Sequence, residues 1–265
     1  MHKYTISYAC TIHIGNVREE NQDNFYIDGR IAGDENETFV GRLKYEKNII
    51  AVCDGLGGEE NGKEAARLVA ERVKQADEVI KKDEASDVHE AIINHLTLAN
   101  NDVHEMSNQL GKGGGSTVNI VYIDGERVLS YNLGDSRTYL YRKGVLTQFS
   151  RDHTPVGDLV HDGWLSEERA RKHPQRNLLD KCIGMSPRHS PLREPHIIDE
   201  NVHADDILLL CSDGLTDMCW TSEIISVLSS EKNLEKAIQT LLEIALQNGG
   251  KDNITIILLY FKATE

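Results

Sequence analysis

Apolar positions along the chain alternate between two spacings. Residues 5–13, 24–27 and 49–53 are short β-type runs, and Gly15-Asn16 turns the chain after the first. From residue 62 to about 82 the spacing becomes helical, with Ala65, Leu68, Val69, Val73, Ala76 and Ile80 on one side. A second helix is predicted over about 86–109, with Ser86 as N-cap and Gly111 past its end. Strand signals then return at 117–123, 128–133, 138–141 and 146–149. Turns at Asp124-Gly125, Gly134-Asp135 and Lys143-Gly144 separate them, the pattern of an antiparallel meander. A strand at 207–211, helices at about 222–229 and 234–247 and a last strand at 254–261 complete the reading. Helices grouped in two blocks, rather than alternating with strands, predict α+β layers and not a doubly wound parallel sheet.

All five prolines fall between Pro155 and Pro195. That confinement predicts an irregular insertion with a short helix at 166–172, either a functional lid or a tolerated surface excursion. Charge narrows the class of partner. With 29 basic and 43 acidic side chains the formal charge is -14, which disfavours nucleic acid and anionic membranes. The longest apolar run, 254–261, is far shorter than the roughly 20 residues of a membrane-spanning helix. Five cysteines form no CxxC pair, and no leader follows Met1, so reduced thiols and a cytoplasmic setting are expected.

The candidate chemistry lies at the ends of the apolar runs. Asp54, Asp213 and Asp252 abut β-type runs directly, and Asp135 follows another at Gly134. Strand ends that deliver several carboxylates to one rim predict a site for hard cations, because clustered acids are costly without compensation. Glycine-rich stretches fail as nucleotide loops: after Gly62-Lys63 comes Glu64 where a P-loop needs Ser or Thr. Arg18, in Val17-Arg18-Glu19-Glu20-Asn21-Gln22-Asp23, offers a planar fork for two phosphate oxygens, although a solvated arginine has the same local pattern.

Taken in order, the motifs resemble the metal-dependent protein phosphatases of type 2C, especially compact bacterial members. They are Val17-Arg18 with Asn21-Gln22-Asp23, Asp54-Gly55-Leu56-Gly57-Gly58, Gly115-Ser116-Thr117, Gly134-Asp135-Ser136-Arg137, Asp152-His153-Thr154, Ser212-Asp213-Gly214-Leu215 and Asp252-Asn253. The resemblance implies a four-layer α-β-β-α sandwich with two central antiparallel sheets, formed as one catalytic domain over 1–265 with a flap-like insertion at about 154–196. It implies a Mn²⁺ or Mg²⁺ pair bridged by Asp54. The Gly55 carbonyl, Asp213 and Asp252 complete the ligands, and Asp135 with Asp213 forms a third, weaker site. Arg18 would grip the phosphate, and Asp23 would order metal-bound water from behind the ligands, where Asn253 also stands. The implied reaction is hydrolysis of phosphoserine and phosphothreonine in proteins by a metal-bridging hydroxide, without a phosphoenzyme. Substrates would include a serine/threonine kinase, and the enzyme would be a monomer. A silent binding module and a hydrolase of small phosphate esters are the alternatives.

Two residues depart from the family pattern. Leu56 stands where eukaryotic members often carry a histidine, a candidate proton donor, leaving His153 as the nearest motif-borne replacement. Gln22 replaces a frequent glutamate and would hold water near the second metal less strongly.

Overall fold

A computed structural model describes residues 3–33, 35–57, 59–111, 113–186, 192 and 196–264. Gly58, Lys112, Pro187, Pro191 and Pro195 lie outside the described residues. The strands are β1 (Tyr4–His13), β2 (Asp23–Ile27), β3 (Arg30–Ile31), β4 (Glu37–Arg42), β5 (Lys47–Leu56), β6 (Gly115–Ser116), β7 (Val118–Asp124), β8 (Arg127–Leu133), β9 (Arg137–Arg142), β10 (Val145–Gln148), β11 (His196–Asn201), β12 (Ile207–Cys211) and β13 (Ile254–Ala263). The helices are α1 (Glu59–Lys81), α2 (Val88–Leu110), α3 (Pro155–His161), α4 (Glu167–Ala170), α5 (Asp213–Thr216), α6 (Thr221–Ser230) and α7 (Leu234–Gln247).

Two antiparallel sheets stack face to face. One runs β10-β9-β12-β13-β1-β4 and the other β11-β8-β7-β5-β2-β3, with the short β6 pairing to β5. Side chains alternate between faces along a strand, so one strand can feed two cores. On β5, Ile50 and Val52 pack between the sheets with Phe25, Val121, Leu208 and Ile257. Ile49, Ala51 and Cys53 point the other way, into the layer of α1 and α2. Likewise Leu208 and Leu210 face the opposite sheet, while Leu209 and Cys211 meet Ile238 and Leu241 of α7. Central strands buried on both faces explain why these runs read as continuously apolar. The order of layers is helix, sheet, sheet, helix.

Three sequence expectations change. Helix α2 is capped by Asp87, not Ser86: the Asp87 side chain accepts the Glu90 N–H at 3.1 Å. The meander breaks at Gly134-Asp135, because β8 pairs with β7 while β9 leaves for the other sheet and pairs with β12. Pro155 does not mark irregular chain but opens α3 at its first turn, capped by Thr154, where a missing N–H costs nothing. Helix α4 falls within the short helix predicted at 166–172, with Ser166 as its cap.

Candidate active site

Asp54 lies near the end of β5, directly opposite Asp23 on β2. Like charges across a strand pair repel, so something must hold them. Ser212 Oγ and Thr255 Oγ1 each donate to Asp23 Oδ2 at 2.7 Å. Asp23 is 4% exposed, and desolvation pushes its carboxyl up to about 7. The two hydroxyls and Arg18 oppose that rise, and Asp252 adds to it. The Asp54 backbone is fixed through Thr117: the Asp54 N–H donates to Thr117 Oγ1 at 2.9 Å, and the Asp54 carbonyl accepts the Thr117 N–H at 2.8 Å. Thr117 Oγ1 also shares a hydrogen bond of 2.7 Å with Ser136 Oγ, which ties the Asp135 loop to Asp54.

Each of two aspartates is followed by a glycine because another backbone presses against the next position. A Cβ on Gly55 would lie 2.1 Å from the Gly62 carbonyl oxygen, and one on Gly214 would lie 1.9 Å from that of Asn253. The second contact sets Asp213, first residue of α5, beside the turn that carries Asp252. Asp252 Oδ2 accepts from Arg18 Nη2 at 2.6 Å and its Oδ1 from the Asn253 N–H at 2.9 Å. Asn253 then pins the loop bearing Arg18: its amide donates to the carbonyls of Ile14 and Glu20 and accepts the Gln22 N–H.

The electrostatics are those of a carboxylate cluster, with Arg18 against Asp252 and Arg137 near Asp135. Desolvation, then repulsion from Asp23, Asp213, Asp135 and Asp252, holds the Asp54 carboxyl well above the usual range. Asp213 is raised likewise, by desolvation and then Asp135, Asp252, Asp217 and Asp23. Asp135 is pushed up to about 7 by desolvation and Asp152, against Arg137. The Arg18 guanidinium is pushed up, mainly by its bond to Asp252, with Asp213 and Asp54 adding to the rise. The Oδ1 atoms of Asp23 and Asp213 are buried without a hydrogen-bond partner. Oxygen donors crowded, desolvated and unpaired suit a hard divalent cation, which removes both costs. Among the described residues no three acidic, cysteine or histidine side chains stand close enough to enclose an ion as placed. Asp252 instead turns both oxygens to Arg18 and Asn253.

Sequence reasoning singled out the acids and Arg18 but gave no role to Ser212, Thr255 or Thr117. Their signal was a hydroxyl at the end of an apolar strand, where a buried polar side chain needs a partner. His153 is a structural residue: its Nδ1 accepts the Gly134 N–H at 3.2 Å, which requires an unprotonated nitrogen. A cleft of about 240 Å³ leads from Asp135 and Asp213 past Arg137, Asp152 and Arg171 along α3 and α4.

The model of the family described as Protein phosphatase 2C matches residues 12–158. A Streptococcus pyogenes protein described as a putative protein phosphatase 2C-type is 31% identical over 230 residues, covering 85% of this chain and 91% of that protein. The serine/threonine protein phosphatase PstP of Mycobacterium tuberculosis is 32% identical over 256 residues, 95% of this chain and 44% of that protein. The crystal structure of M. tuberculosis PstP/Ppp superposes with a TM-score of 0.80 at 28% identity, covering 97% of this chain and 99% of that one. A PstP catalytic domain in complex with two manganese ions gives 0.79 at 28% identity, with coverage of 98% and 99%. The two sheets, the order of the motifs and these matches agree: the chain belongs to the protein phosphatase 2C family of metal-dependent serine/threonine protein phosphatases.

Proposed function

We propose that Asp54, Asp213 and Asp252, with the Gly55 carbonyl, hold two divalent cations, Mn²⁺ or Mg²⁺, and that Asp135 with Asp213 holds a third, weaker one. The observation that carries this reading is the crowding of desolvated aspartates, two with unpartnered buried oxygens, around one arginine. When bound, such cations acidify water and draw charge from phosphate oxygens. The chain's own residues do the rest. Arg18 turns its fork from Asp252 to the phosphate and neutralises two of its oxygens. Asp23, locked by Ser212 and Thr255, orients water through its free Oδ1. Asn253 keeps the Arg18 loop in place. Neither Leu56 nor the neutral His153 can protonate the leaving alkoxide, so water does. Residues 1–265 act as one catalytic domain, with 154–196 as a flap beside the cleft. Its phosphoprotein substrates include a serine/threonine kinase, and the enzyme works as a cytoplasmic monomer.

Turnover of a phosphothreonine peptide and of p-nitrophenyl phosphate, in Mn²⁺, in Mg²⁺ and in chelator, tests the reading. Both activities should require the cation, and the peptide should have the higher kcat/KM. Asp54→Asn should lose at least about a hundredfold in kcat; a variant within tenfold of wild type would overturn the assignment.

A further inference from the structure

The flap segment is rooted through residues 180–185. Asp180 N–H donates to the His153 carbonyl, Ile183 pairs with Ser116, and Asn100 donates to the Met185 carbonyl. Its outer part, helix α4 and the residues after it, meets a different element: the chain that leaves Asp213. Arg171, the C-cap of α4, donates from Nη1 to the Asp217 carbonyl at 3.3 Å and from Nη2 to the Cys219 carbonyl at 2.6 Å. Its guanidinium carbon lies 3.9 Å from the ring centroid of Trp220. Two weaker contacts run in parallel: Arg176 to Asp217 Oδ2 at 3.3 Å, and Thr221 Oγ1 to Glu167 Oε2 at 3.5 Å.

Asp217 is the C-cap of α5, and Asp213 is the first residue of that helix. The Asp217 carbonyl that Arg171 takes therefore ends the single turn that begins with Asp213, and the Cys219 carbonyl lies two residues further along the same chain. We infer that Arg171 is a positioning residue that, stacked on Trp220, latches the flap to the Asp213 helix and so sets the width of the cleft between them.

The arrangement is poised rather than rigid. Arg171 also lines the cleft with Arg137, and burial together with that like charge disfavours its protonated form. Trp220 is 43% exposed, so one face of the stack is open to water. Two carbonyl bonds and one ring hold the cation where burial and Arg137 oppose it and Asp217 and Glu167 favour it. Closing the cleft on a protein substrate needs the latch intact, whereas a small ester does not reach α4. The inference rests on the phosphatase activity only for its kinetic arm. Its spectroscopic arm is independent of turnover and of metal.

The chain has two tryptophans, so Trp164→Phe leaves Trp220 as the sole reporter. In that background Arg171→Ala should red-shift Trp220 emission and raise acrylamide quenching about twofold or more, as expected if a stacked guanidinium covers the ring. Arg171→Lys, which stacks but cannot span both carbonyls, should fall between. In the otherwise unaltered enzyme, KM for the phosphopeptide should rise about three- to tenfold in Arg171→Ala, while kcat changes less than about twofold. Unchanged quenching, or a fall in kcat with constant KM, would overturn the latch. Should Arg171→Ala fail to fold, Trp220→Phe and Arg171→Lys decide: a peptide KM raised in both supports the latch, and one unchanged in both removes it.

Discussion

His153 shows how one side chain can serve the site without taking part in chemistry. The His153 Nδ1 accepts the N–H of Gly134, next to Asp135, while the His153 backbone N–H donates to the Gly134 carbonyl at 2.9 Å. Burial first, then Lys181 and His196, pushes the imidazole down to about 4, with Asp152 opposing. A histidine depressed below its unfolded value of about 6.5 contributes stability that is complete above that pH. The contribution is lost as pH falls toward 4, and is worth at most roughly 3 kcal/mol. His153→Asn, which can still accept from Gly134, should therefore flatten the fall in Tm between pH 6.5 and 4; parallel melting curves for the two proteins would contradict this. At this scale the sequence was informative where an acid abuts an apolar run, as at Asp54 and Asp213. It was silent on the hydroxyls, because Ser212 and Thr255 reach Asp23 across 189 and 232 residues.

Among elements, the turn from β12 into α5 carries the tightest constraint. Gly214→Ala places a methyl against the Asn253 carbonyl, so α5 or the Asp252 turn must shift. Overpacking of this kind costs about 1–3 kcal/mol and should displace Asp213 from Asp252, reducing kcat at least about tenfold. Gly33→Ala, where a Cβ meets nothing within 4 Å, is the matched control and should leave both Tm and kcat near wild type. A tolerated Gly214→Ala would show that the two carboxylates need not be held together this way. Strands buried on both faces, such as β5 and β12, were readable from their apolar runs. The edge strand β4, with its burial alternating by residue, and the half-exposed β11 were not. Nor was the departure of β9 from the meander, since a local turn signal at Gly134-Asp135 says nothing of which sheet receives the next strand.

For the whole molecule, the net charge of -14 and the carboxylate cluster act together. Without a cation the folded state concentrates repulsion that the unfolded chain disperses. Mn²⁺ at about 100 times its dissociation constant should add about 2.7 kcal/mol and raise Tm by roughly 5–10 °C. Asp213→Asn in chelator should melt above the wild type while losing most of the Mn²⁺-induced shift. Equal Tm values in chelator would show that the acids do not strain the fold.

Strand β13 lies inside its sheet, between β12 and β1, with Ile254 only two residues beyond Asp252. Asp252, the partner of Arg18, and Asn253, which pins the Arg18 loop, come into place only when β13 inserts between β12 and β1. Until then β1 and β12 each present an open apolar edge, the kind of surface that chaperones guard and aggregates exploit. Pairing across nearly the full sequence is also slow to form. The Arg18–Asp252 contact thus depends on a strand pairing that joins residues 4–13 to residues 254–263.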